Sequence, residues 1–158
     1  MINRILTLGL LLLAVHSVNA QNFLDGAYRF SGTKEAYITL NSGETITSFV
    51  DDIKRKKGLI SVIKLKDAAG KEVTLSPDQV KHMYLAPTGF DNLTQALDDA
   101  NTVSRWNEDK SAHAEYIKQG YVFFETTEVM VKKKKMTLLL QLVNPGFANG
   151  IKVYFDPW

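Results

Sequence analysis

From Ala36 onward, apolar and polar positions alternate over short runs broken by turn residues, the two-residue period of half-buried strands. Ala36, Ile38 and Leu40 alternate with Tyr37 and Thr39, Asn41-Ser42-Gly43-Glu44 turns the chain, and Thr45 to Val50 returns. Gly43 can supply the positive φ that such a turn takes. Asp51 to Gly58 is charged enough to read as an exposed connection. The pattern then predicts a strand over Leu59 to Leu65, with Leu59, Ile63 and Leu65 turned inward and Ile60, Val62 and Lys64 on the other face. Asp67 to Lys71 forms a compact turn, and Glu72 to Leu75 pairs back. Ser76-Pro77-Asp78-Gln79 has the spacing of a capping box with proline at the first helical position, which predicts one helical turn before a strand over Val80 to Leu85. This order is that of small SH3-like or Sm-like barrels. It is expected over residues 34–87, after a lead-in over 21–33.

Ala86-Pro87-Thr88-Gly89 punctuates the chain as an internal boundary. Phe90, Leu93, Ala96, Leu97, Ala100 and Val103 follow at helical spacing, and a second short helix is expected near Asp109 to Lys118. Strands are expected again in Tyr121 to Phe124, Glu128 to Val131, Met136 to Val143 and Ile151 to Phe155, with Leu138-Leu139-Leu140 in a row suiting a strand covered on both faces. Residues 88–158 therefore read as a helical connection plus a C-terminal antiparallel meander, either separate from the preceding unit or one domain with it. The fold class is mainly β (α+β).

The start of the chain follows a different rule. Met1 to Arg4 is a short basic leader, Ile5 to Val15 is almost wholly apolar, and Val18-Asn19-Ala20 ends small. That order predicts a secretory signal peptide over 1–20, cleaved between Ala20 and Gln21. The apolar run is too short for a membrane span, which takes about 20 residues. The mature protein is expected outside the cytoplasm: periplasmic, on the outer surface or secreted.

Composition sharpens this picture. The chain has 158 residues, 45% hydrophobic and 23% charged, with no cysteine. Lack of cysteine excludes disulfides, thiolate metal sites and thiol catalysis, and argues against a lipoprotein. The formal charge is +2 and falls by one when Arg4 leaves with the leader, so no long-range field favours nucleic acid.

Candidate chemistry is sparse. Ser31-x-x-Lys34 and Ser61-x-x-Lys64 match the S-x-x-K pattern, but that chemistry needs serine and lysine on one helix face; in a strand Ser61 and Lys64 point to opposite faces, and no S-D-N or K-T-G accompanies either match. His82 and His113 lie outside any metal-ligand spacing. Asp51-Asp52 and Asp98-Asp99 are adjacent pairs in polar surroundings that would not raise a carboxyl pKa. Trp106, Trp158 and the tyrosines could form a sugar-binding platform, although aromatic residues serve first as core and strand residues. Lys132 to Lys135 is the strongest local charge signal: either a polyanion-binding site or, as we expect, a device protecting a strand edge or hairpin tip. No cofactor or metal is implied.

Gln141-Leu142-Val143-Asn144-Pro145-Gly146-Phe147, followed by Ile151 to Pro157, resembles a block of uncharacterised exported proteins of Bacteroidota-type bacteria, and the stretch from Leu40 to Tyr84 is similar to their N-terminal part. The resemblance implies a bacterial source and an exported location, and no activity. The sequence as a whole is read as a non-catalytic binding or interaction module that touches envelope polyanions or another envelope protein. The alternative is an enzyme of unrecognised type acting on extracytoplasmic glycans.

Overall fold

The computed structural model describes residues 23–67, 69–88, 113–145 and 151–156. The leader with its Ala20–Gln21 site, the helical pattern from Phe90 to Val103, Asp98-Asp99, Trp106 and Trp158 lie outside them. Among the described residues, seven strands form one antiparallel sheet: β1 (Glu35–Leu40), β2 (Thr45–Lys56), β3 (Leu59–Lys66), β4 (Glu72–Leu75), β5 (Val80–Leu85), β6 (Val122–Val131) and β7 (Lys134–Gln141). A short helix, α1 (His113–Lys118), precedes β6. The molecule is mainly β, as its periodicity predicts.

The strands are ordered β4-β3-β2-β1-β5-β6-β7. The expectation of a small closed barrel over 34–87 is corrected here, because the sheet is open. The edge of β5 away from β1 is taken by β6, so it is not available to return to the four-residue β4. The sheet curls instead, bringing β7 against β3 and the 3₁₀ turn at Pro77–Gln79. Ile38, Ile63, Leu65, Met83, Leu85 and Val122 are fully buried inside the curl, with Phe124 and Leu139 beside them.

Local rules place most of these elements. Gly43 sits at φ 90° in the first hairpin turn. Asp67 Oδ1 accepts the N–H groups of Ala69 and Lys71 at 2.9 and 2.8 Å, closing the β3–β4 turn. The Ser76 N–H donates to Gln79 Oε1 at 2.8 Å, as the capping-box spacing implies.

Two strand readings need correction. Asp51 to Lys56 is not a loop but the second half of β2, paired through to Leu59, and the turn is reduced to Lys57 and Gly58 at φ 51° and 78°. Charged residues suit that stretch because alternate positions face water. The inward face of β3 also changes midway. The register shifts between Lys54 and Arg55, leaving Ser61 as an extra residue, so the core receives Ile60 while Leu59 stays half-exposed. A bulge of this kind resets the alternation, and the Ser61 hydroxyl donates to the Lys54 carbonyl there.

An N-terminal strap, residues 23–31, crosses the molecule and joins both parts of the sheet. The Leu24 N–H donates to the Val143 carbonyl and the Ser31 N–H to that of Ala86. Gln141 is 2% exposed; its Oε1 accepts the Ala27 N–H at 2.8 Å and its Nε2 donates to the Asp25 carbonyl at 2.9 Å. The Phe155 ring lies on Gly26, where any Cβ would collide with it. The expected last strand appears as a bridge between Leu142 and Tyr154, pinned by buried Asn144. The Asn144 Oδ1 accepts from the Val153 N–H at 2.7 Å, and its Nδ2 donates to the Ile151 carbonyl at 2.5 Å.

Candidate functional site

The outer face of the sheet carries five of the six tyrosines. Register builds this site. Tyr37 on β1 lies directly opposite Tyr84 on β5, which lies opposite Phe123 on β6. The row continues through Leu142, whose N–H donates to the Phe123 carbonyl, to Tyr154 across the last bridge. Directly opposed side chains in antiparallel pairs sit about 4.5–5.5 Å apart at Cβ, close enough for rings to pack. The Tyr84 and Phe123 centroids are 5.1 Å apart.

Helix α1 adds a second layer. It ends in a Schellman motif: the Tyr121 N–H donates to the Tyr116 carbonyl and the Gly120 N–H to that of Ile117, with Gly120 at φ 81°. Glycine takes that left-handed position without a Cβ penalty. The motif swings Tyr121 back against Tyr116, ring centroids 5.9 Å apart. Tyr116 in turn stacks on Tyr84 at 4.4 Å and leans on Tyr37 at 4.7 Å. Tyr84, Tyr121 and Phe123 are buried in this layer, whereas Tyr37, Tyr116 and Tyr154 stay half-exposed at its rim.

Two carboxylates flank the row: Glu35 accepts the Tyr37 hydroxyl at 3.1 Å, and Glu125 is held by more partners. Glu125 on β6 accepts both the Tyr154 hydroxyl and the Lys152 ammonium at 2.8 Å through Oε1, and its Oε2 lies 2.9 Å from the same ammonium. His82 is opposite Glu125 in the ladder. Burial pushes the Tyr84 hydroxyl up to about 12. Burial and the adjacent Glu35 carboxylate do the same for Tyr37, and burial with the hydrogen bond to Glu125 for Tyr154, each to about 12. Burial also raises Tyr121. These phenols are neutral at ordinary pH and offer O–H groups rather than phenolates. The half-exposed rings of Tyr37, Tyr116 and Tyr154, beside the Glu35 and Glu125 carboxylates that accept two of their hydroxyls, can stack on an apolar ring face and hydrogen-bond its substituents.

The other candidates from the sequence are scattered. The Ser31 Oγ accepts the N–H groups of Thr33 and Lys34 in a local turn, and the Ser61 hydroxyl donates to the Lys54 carbonyl at the bulge. Asp51 pairs with Lys66 at 2.6 Å on the surface. His113 opens α1. Among the described residues, no three histidine, aspartate or glutamate side chains gather as a cation-binding set. Lys132 and Lys133 form the two-residue turn between β6 and β7, and Lys134 and Lys135 begin β7.

Sequence reasoning passed over Arg55, which reads as one charge among many. It is half-buried, donating to the carbonyls of Gly58 and Ala27 at 3.0 Å each and lying 5.2 Å from the centre of the Tyr28 ring. Desolvation lowers its pKa from the usual arginine value. It closes the seam between the β2–β3 turn, β7 and the strap, where a void of about 10 Å³ remains, room for about one water. No family model, curated protein or solved structure matches this chain.

Proposed function

We propose that this chain is an exported protein of a bacterial envelope, delivered by the 1–20 leader, that works as a non-catalytic binding module for carbohydrate. The observation that carries this reading is the half-exposed rim of Tyr37, Tyr116 and Tyr154, set on buried Tyr84, Phe123 and Leu142 and bordered by Glu125. Half-exposed tyrosines give an apolar body and a polar tip, the combination that sugar rings require. The β4-β3-β2-β1-β5 order, with a 3₁₀ turn ahead of β5, supports reading 34–87 as an SH3/Sm-like unit opened and extended by β6 and β7.

Calorimetric titration of the mature protein with peptidoglycan fragments, xylan, mannan and β-glucan tests this. One of them is expected to bind, with Tyr116→Ala weakening it roughly tenfold or more and Tyr154→Phe less, on the scale of one stacked ring against one hydrogen bond. Lack of binding by all four, or equal binding by Tyr116→Ala, sinks the carbohydrate reading. Cleavage of the bound glycan would transfer the site to the enzyme alternative. N-terminal sequencing of exported protein tests delivery, with Gln21 expected first.

A further inference from the structure

The β6–β7 hairpin outruns the core. Beyond Phe124 on β6 and before Leu139 on β7, none of its side chains is buried, yet the ladder continues to the Val131–Lys134 pair. Four residues past Glu128, at about 3.3 Å each, carry the tip roughly 13 Å outward. The turn itself is costly. Lys132 and Lys133 both hold positive φ, 46° and 67°, in a two-residue connection where asparagine and glycine are the usual occupants. The β2–β3 hairpin meets the same demand with Lys57-Gly58. Retaining lysine at both strained positions points to use of the side chains.

The residues behind the turn specify that use. Met130 is 69% exposed and Met136 38%. Val129 is directly opposite Met136, and Met130 is opposite Lys135, so apolar side chains stand on both faces of the ribbon just behind the cations. Glu128 ties Lys135 at 2.6 Å, while Lys132, Lys133 and Lys134 project from the end. A tip built only for solubility would carry its lysines without exposed methionines. Cations ahead of a short apolar wedge match a surface with phosphates outside and hydrocarbon beneath.

We propose that the β6–β7 tip docks on an anionic phospholipid bilayer, with Lys132 to Lys134 at the headgroup phosphates and Met130 and Met136 in the interfacial layer. This rests on the envelope reading only for which membrane is met, and it is independent of glycan binding. The test is co-sedimentation of the whole mature protein with phosphatidylcholine vesicles that contain or lack phosphatidylglycerol. Binding is expected only to the anionic vesicles, falling with added salt through screening. Lys132→Gln with Lys133→Gln and Lys134→Gln should weaken it about 100-fold, since each lysine near such a surface is worth about a factor of five. Met130→Ser with Met136→Ser should weaken it several-fold while leaving the salt dependence in place. Tyr116→Ala should bind vesicles like the parent, separating this surface from the tyrosine face. Equal binding to neutral vesicles, undiminished binding by the folded triple-glutamine variant, or binding to soluble polyphosphate but not to vesicles would overturn the proposal.

Discussion

Gln141 offers the sharpest test of how the strap is held, through the nearly isosteric change Gln141→Glu. In the parent one end of the amide accepts from Ala27 and the other donates to Asp25, both within 3 Å, and the side chain is 2% exposed. A carboxylate keeps the first bond but cannot make the second, so an anionic oxygen faces the Asp25 carbonyl with no solvent to relieve it. Breaking a buried polar pair in this way costs about 3–5 kcal/mol. Protonation removes the conflict, because the carboxylic O–H can donate to the Asp25 carbonyl. The folded pKa of the new group therefore lies above its unfolded value of about 4.3. Near pH 4 the variant should approach the parent, and its deficit should grow by about 1.4 kcal/mol per unit as pH rises, levelling off above the folded pKa. Gln141→Ala, which leaves both backbone groups unpaired, should cost about 2–5 kcal/mol with no such pH dependence. Urea unfolding of all three proteins near pH 4 and pH 7.5 measures this directly. A Gln141→Glu curve that matches the parent near pH 7.5, or a deficit equal at both pH values, would refute this account of how Gln141 holds the strap.

The bulge at Ser61 predicts that Ile63→Ala costs about 2–5 kcal/mol whereas Leu59→Ala costs under about 1.5; equal losses by urea unfolding would restore unbroken alternation. Lys133→Gly should raise stability by about 1 kcal/mol by removing a Cβ from the φ of 67°, and a lower melting temperature would show that the turn is not strained. Tyr37, Tyr84 and Tyr154 should titrate near 12 by phenolate absorbance, above the 10 of an unfolded chain. Since the folded pKa is the higher, their contribution is complete below about pH 10 and is lost as pH rises toward 12. For Tyr84, 6% exposed, that is up to about 2–3 kcal/mol. Phenols that all titrate near 10 in the folded protein would disprove the packing of the row.

What could be read in the sequence is what neighbours in the chain determine. The alternation of Ala36, Ile38 and Leu40, the Gly43 turn, the Ser76–Gln79 capping box and the short helix at His113–Lys118 all depend on residues a few positions apart. Register escapes such reading. One extra residue at Ser61 exchanges Leu59 for Ile60 in the core, and no local feature marks it. The tyrosine row exists because Tyr37, Tyr84 and Phe123 fall in step across ladders joined over dozens of residues. Gln141 and its strap partners are 114 and 116 positions apart. The one clue was an amide set inside the apolar run from Leu138 to Val143. Lys132 to Lys135 stood out as charge, but whether that charge lay along an edge or at a tip depended on where β6 stops.

The position of β1 in the middle of the sheet has a consequence in time. Although it is the first of the described strands, it borders β2 on one side and β5 on the other. Its hairpin with β2 can close within microseconds, while its second edge waits for β5, and the outer edge of β5 waits for a β6 that begins only at Val122. Each wait leaves a row of unpaired N–H and C=O groups able to recruit the wrong strand. Two long closures, β1 with β5 and β5 with β6, are thus expected to set the folding rate more than the short turns do. Refolding at rising protein concentration is expected to lose yield at the pairing of β1 with β5.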